Sequence, residues 1–293
     1  MIQYQGSLYR PPSEANSLIL QATLGCSYNE CSFCGMYRDK RFRVRPLEEL
    51  LQEIAWARRE MGDHVRKVFL ADGDALVAKP AFLGALLDAC AEAFPNLRRV
   101  SCYASPQSLQ VRSVEEMREL RDRGLTLYYL GIESGHDQVL EDLVKGVDAA
   151  EMIRVAQKAN EAGVALSTMI LLGAGGRALS REHALESARV VNAIQPRFVS
   201  TLVMTPVEDT PLWEQDARGE VDHLEPLELA AELRTFVAAL ELESSVFRSN
   251  HASNYLALAG TLPKDQQRIV AQLDHVLATA GRGAFRPEWL RGL

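Results

Sequence analysis

The chain has 293 residues, 47% of them hydrophobic, which suits one large α/β domain or two small ones with ample material for a core. A net charge of −7 argues against broad electrostatic capture of nucleic acid or of an anionic membrane surface. The start of the chain has no charged stretch followed by a long apolar run, and no apolar stretch reaches the roughly 18 residues of a membrane span, so a cytoplasmic protein is expected.

Apolar, β-branched runs alternate with helical patterns along most of the chain. Ser17–Thr23 reads as a strand, and Leu47–Met61 as an amphipathic helix opened by Pro46 and ended by Gly62. Lys67–Ala71 is a short buried strand, Ala81–Phe94 a helix stopped by Pro95, and Arg99–Ala104 a third strand. Val114–Arg123 is a helix closed by Gly124, and Leu125–Ile132 a fourth strand. A helical pair follows, Asp137–Val144 and Ala149–Ala162, then the strand Val164–Leu172, the helix Arg181–Ile194 and the strand Phe198–Met204. This alternation predicts an α/β fold, a partial (β/α)6 TIM-like barrel of parallel strands. After about residue 215 the pattern reads as helices only, Pro226–Glu243 and Lys264–Ala280. The expected organisation is an N-terminal extension over 1–16, a core over 17–215, and a C-terminal helical extension over 216–293 that covers the barrel mouth.

Sites on such barrels gather at the carboxyl ends of the strands, and the unusual residues of this chain fall there. Cys26, Cys31 and Cys34 follow the first strand within nine residues of one another. In the cytosol thiols stay reduced, so a cysteine cluster favours metal over disulfide. A structural zinc ion and an iron–sulfur cube each take four protein ligands as a rule, so three close cysteines suggest a centre with one position open. A structural zinc site that borrows a fourth ligand such as His64 is the competing reading. Cys90 and Cys102 lie alone in apolar stretches and read as small core residues. Asp72-Gly73-Asp74 follows the second strand, Glu133-Ser134-Gly135 the fourth, and Gly173-Ala174-Gly175-Gly176 the fifth.

The cysteine loop with Phe33 before its last cysteine, followed in order by ADGD, GIESG and LLGAGG, resembles the radical S-adenosylmethionine (SAM) superfamily over about residues 17–215. Within it the chain looks like the branch of the oxygen-independent coproporphyrinogen oxidases, the methylthiotransferases and the Elongator-type enzymes. There are departures. The cysteines are spaced by four residues and then two, where three and then two is usual. Asp72-Gly73-Asp74 replaces a Gly-Gly-Glu marker, and Met169 stands where the coproporphyrinogen oxidases carry an acid, which counts against the same substrate.

The resemblance implies an enzyme in which Cys26, Cys31 and Cys34 hold a [4Fe–4S] cluster whose fourth iron chelates SAM. Reductive cleavage would then give methionine and a 5′-deoxyadenosyl radical that abstracts hydrogen from a substrate. Electrons would come from a donor such as flavodoxin or ferredoxin. The SAM amino group would meet acceptors, carbonyl or carboxylate, of Asp72-Gly73-Asp74. The ribose would meet Glu133, the SAM carboxylate Lys145, and a hydroxyl contact would come from Ser167. Met204 would line adenine beside the Gly173–Gly176 turn. No catalytic residue is identified beyond these. Some relatives of coproporphyrinogen oxidase carry haem without turnover, so a haem- or cluster-binding carrier on the same scaffold is the alternative.

Two segments are candidates for the substrate. The run 38–45 places five basic residues just past the cysteines. The run 248–255, with Arg248, Asn250, His251 and Asn254, is dense in hydrogen-bonding groups and is expected to fold back as a lid between the two C-terminal helices.

Overall fold

The computed structural model describes residues 2–280, 283–287, 289 and 291. They form two compact units, one of residues 1–29, 36–130 and 155–166, the other of residues 30–35, 131–154 and 167–293.

In the first unit the expected Ser17–Thr23 strand is broken in two. β1 (Leu18–Leu20) is followed by β2 (Thr23–Leu24), which leaves the line to pair antiparallel with β3 (Arg43–Val44). The break falls at Gln21, whose side-chain amide reaches Asp72, while the Ala22 and Ala71 N–H groups both bond the Leu20 carbonyl. β4 (Lys67–Leu70), β5 (Arg99–Ala104) and β6 (Leu125–Glu133) run parallel to β1 in the order β1-β4-β5-β6. One row across this sheet is Leu20, Leu70, Cys102 and Tyr128, each fully shielded from solvent. Strands buried on both faces explain why these segments read as apolar runs rather than alternating ones.

The helices α1 (Leu47–Met61), α2 (Pro80–Ala93), α3 (Pro106–Val111) and α4 (Val114–Asp122) connect these strands. α1 buries Leu50, Ile54 and Ala57, spaced to share one face. Burial of each of the two larger side chains stabilises the fold by about 2 kcal/mol. α3 is absent from the sequence reading, although its signal is present: Ser105 caps it, Pro106 stands at its first position, and Ser108 completes a capping box. Cys90 and Cys102 are core residues as expected, and burial pushes the Cys90 thiol up to about 12. The N-terminal stretch belongs to this unit. Glu14 is fully buried and accepts hydrogen bonds from Tyr129 at 2.5 Å and Arg99 at 2.6 Å.

The chain continues with α5 (Asp137–Asp142), α6 (Ala149–Glu161), which passes into the first unit at Val155, and β7 (Ala165–Leu172), which is in the second unit from Ser167, then α7 (Gly176–Ile194), β8 (Phe198–Val203) and α8 (Pro211–Ala217) in the second unit. β7 and β8 pair in parallel from Ser167 opposite Phe198 to Leu172 opposite Val203. Beyond residue 215 the expected helices α9 (Pro226–Ala238) and α10 (Gln266–Ala278) are present, but the reading of helices only is overturned. Between them lie β9 (Ser245–Ser249), parallel to β8, and β10 (Leu258–Leu262), antiparallel to β9. The reason is period: Ser245, Phe247 and Ser249 are buried while Arg248 is exposed, a two-residue alternation that a helical reading passes over. Among the described residues no helix is long and apolar enough to cross a membrane.

Candidate functional site

In the first unit Cys26 follows β2 in a loop whose base is tied to the end of β4. Asp72 is fully buried, with φ 63, and its carboxylate accepts the Gly25 N–H at 2.9 Å, the Gln21 amide at 3.2 Å and the Lys40 ammonium at 3.0 Å. Asp74 is also fully buried. It accepts the Ser27 hydroxyl at 2.5 Å and the Ser105 hydroxyl at 2.7 Å, and burial raises its pKa above the usual carboxylate range. Both carboxylates of the expected SAM-amino acceptor turn thus bond groups of the chain itself. They fix the cysteine loop through Gly25 and Ser27. Between them Gly73 has no substitute: a Cβ there would lie 2.7 Å from the Cys26 Cβ and 2.8 Å from the Tyr37 ring.

The basic run 38–45 is also corrected. Lys40 pairs with Asp72, and Arg45, 5% exposed, pairs with Glu49 at 3.0 Å and Glu53 at 2.9 Å. These two cations neutralise buried carboxylates instead of meeting a substrate, while Arg41 and Arg43 are exposed.

In the second unit Cys31 and Cys34 flank a docked dipeptide. The Ser32 N–H bonds the Leu143 carbonyl at 3.0 Å, its hydroxyl bonds the Asp142 carbonyl at 3.1 Å, and its carbonyl accepts the Leu212 N–H at 2.9 Å. Phe33 packs against Val139, Leu143 and Leu171, in a cluster that also takes Met204. Met204 thus packs on the same apolar cluster as the aromatic residue of the cysteine loop. Ser167 is half-buried on β7, on the same face as Met169.

Glu133 and Lys145 are both buried and form an ion pair at 2.9 Å. The two residues expected at ribose and at the SAM carboxylate thus stand side by side. Gly131 makes room for it, since a Cβ there would fall 1.9 Å from the Glu133 Oε1. Burial disfavours the charge of Lys145, but Glu133 and the sulfurs of Cys31 and Cys34 together hold its pKa above the ordinary lysine value.

Two residues absent from the sequence reading hold the neighbouring turns. His183 on α7 meets the Ser134 hydroxyl at 2.8 Å through Nδ1 and the Leu171 carbonyl at 3.0 Å through Nε2. A carbonyl only accepts, so Nε2 carries the proton and Nδ1 accepts from Ser134. Glu232 on α9 accepts the Gly173 N–H at 2.7 Å and the Ser180 hydroxyl at 2.6 Å. Burial pushes His183 down to about 4 and Glu232 up to about 7. A lone acid between Leu229, Leu233 and Phe236 on an otherwise apolar helix face was the available signal.

The substrate candidates separate. Asn254, 2% exposed, accepts the Val203 N–H at 2.9 Å and donates to the Thr201 carbonyl at 2.7 Å and the Ser249 hydroxyl at 2.9 Å, so it closes the end of β8 and is not available to a ligand. Arg248 is exposed and bonds carbonyls of its own hairpin, Phe247 and Gly260. Asn250 is exposed, and His251 is half-buried with Nδ1 accepting the Ser253 N–H at 3.1 Å. The run expected as an interhelical lid forms the end of β9 and the connection to β10. His64, the residue offered as a zinc ligand, sits exposed in the turn after α1. Among the described residues no three His, Cys, Asp or Glu side chains gather tightly enough for a single metal ion.

An uncharacterized methyltransferase of Pyrococcus horikoshii is 24% identical over 200 residues, covering 67% of this chain and 41% of that protein. The chain matches less than half the length of the curated relatives found. The crystal structure of methylornithine synthase superposes with a TM-score of 0.56 at 17% identity, covering 88% of this chain and 68% of the other. Coproporphyrinogen III oxidase from Escherichia coli gives 0.57 at 17% identity, covering 76% of this chain and 52% of the other. These likenesses carry the fold, the α/β partial barrel expected from the alternating strands and helices. The family model of the radical SAM superfamily matches residues 20–188, more than half of the chain, and the chain belongs to that superfamily.

Proposed function

We propose that the protein is a radical SAM enzyme whose Cys26, Cys31 and Cys34 hold a [4Fe–4S] cluster. The observation that carries this reading is the contrast among its five cysteines. Cys90 and Cys102 are buried, whereas the three within one short loop are half-exposed, in a chain that belongs to this superfamily. The residues present fit such a group. The donor set is three thiols, a cube spreads its ligands over separate irons, and Gly73 leaves the turn beside Cys26 without a side chain. When bound, the cluster and SAM together supply a 5′-deoxyadenosyl radical that takes hydrogen from a substrate still to be identified.

The chain's own residues prepare the site. Asp72 and Asp74 fix the cysteine loop through Gly25 and Ser27. Ser32 and Phe33 anchor its later part on α5. Glu232 and His183 set the turns after β7 and β6, where this reading puts SAM. An electron donor such as flavodoxin or ferredoxin completes the reading.

Anaerobic reconstitution with iron and sulfide tests it. The wild-type chain should take up about four irons. Single alanine variants of Cys26, Cys31 and Cys34 should lose the cluster absorption, while alanine at Cys90 or Cys102 should keep it. Equal iron in all five variants would remove the assignment.

A further inference from the structure

The Glu133–Lys145 pair is built at the expense of backbone comfort. Glu133 has φ 67 and Val144, next to Lys145, has φ 51; neither is glycine, and Val144 is β-branched. Non-glycine residues rarely adopt this region, least of all β-branched ones, and such strain persists where the surroundings over-determine it. The two strained residues stand at the two ends of the segment that folds Lys145 back onto Glu133. That segment is also where the cysteine loop docks, since Ser32 bonds the carbonyls of Asp142 and Leu143. The ammonium of Lys145 consequently lies in the field of the sulfurs on either side of Ser32 and Phe33. A structural ion pair alone needs neither the strain nor this location. Buried ion pairs are seldom stabilising on balance, so the arrangement calls for a role in the site.

We propose that Lys145 is an electrostatic positioning residue that sets the reduction potential of a cluster on Cys31 and Cys34, with Glu133 as the counter-charge that limits its effect. This rests on the cluster assignment above. Reduction adds one negative charge to the cluster. A buried cation beside two of its ligands stabilises that state, and a carboxylate behind the cation weakens the stabilisation. The pair is thus a charge setting, raised or lowered by changing one member.

Potentiometric titration of the reconstituted protein, followed by electron paramagnetic resonance, tests this on three variants with iron content measured in each. K145M should lower the midpoint potential, and E133Q should raise it. Each shift should correspond to about a tenfold change in the reduced-to-oxidised ratio at fixed potential, or 59 mV for one electron. K145R should stay near the wild type because the charge is kept. If K145M does not assemble a cluster, the rise in E133Q decides. A full complement of iron with unshifted potentials in K145M and E133Q would overturn this inference alone. No cluster in the wild-type protein would overturn the cluster assignment and this inference with it.

Discussion

Gly73 lies so close to Cys26 that a single added carbon would come within 2.7 Å of the cysteine Cβ. The cysteine loop is therefore shaped by the absence of a side chain on a turn 47 residues later, and that turn is held to it by Asp72 on the Gly25 N–H and by the Gly73 N–H on the Gly25 carbonyl at 3.0 Å.

G73A should accordingly be disruptive. Overpacking of this kind costs about 1–3 kcal/mol, because Cys26 and Tyr37 must both move. Thermal unfolding should show the loss, and iron uptake after reconstitution should fall by more than in an alanine variant of the exposed Gly219, where a Cβ meets nothing within 4 Å.

N254A should cost about 1–2 kcal/mol, since it removes the side-chain donor to the Thr201 carbonyl and leaves the Val203 N–H with the Ser253 hydroxyl as its side-chain partner. Urea unfolding would measure this. R248A, which removes an exposed side chain that bonds carbonyls of its own hairpin, should change stability by less than about 0.5 kcal/mol.

The acid limb of stability should be set by two opposed groups. Glu232 is raised to about 7, so its contribution is full below the unfolded glutamate value and is lost as pH rises through 7. His183 is lowered to about 4, so its contribution is full above the unfolded histidine value and is lost as pH falls through 4. Between these limits the two slopes offset one another. In E232Q only the histidine slope survives, and unfolding free energy should fall more steeply than in the wild type as pH drops from about 6.5 to 4. Parallel curves for the two proteins would contradict the assignment.

Much of the frame is legible in the residues themselves. Pro46 and Gly62 bound α1 where the structure has it, and the cysteine spacing marks the loop without any coordinates. Other features depend on partners far along the chain. Asp72 and Asp74 stand at a strand end, where a ligand-facing carboxylate is the natural reading. Whether they turn outward or inward is decided by Gly25, Ser27 and Ser105, which sequence spacing cannot bring to them. The Glu133–Lys145 pair was within reach as two charged residues, but its closure depends on the left-handed turns at Glu133 and Val144, which residue type argues against. The hairpin of β9 and β10 was passed over because five-residue strands next to long helical patterns carry little periodic signal.

The most direct measurement is anaerobic incubation of the reconstituted, reduced protein with SAM, with 5′-deoxyadenosine quantified against C31A. The account predicts release from the wild type that requires reductant and vanishes in C31A. Release of equal size from both proteins, or none from wild type carrying a full cluster and bound SAM, would contradict it.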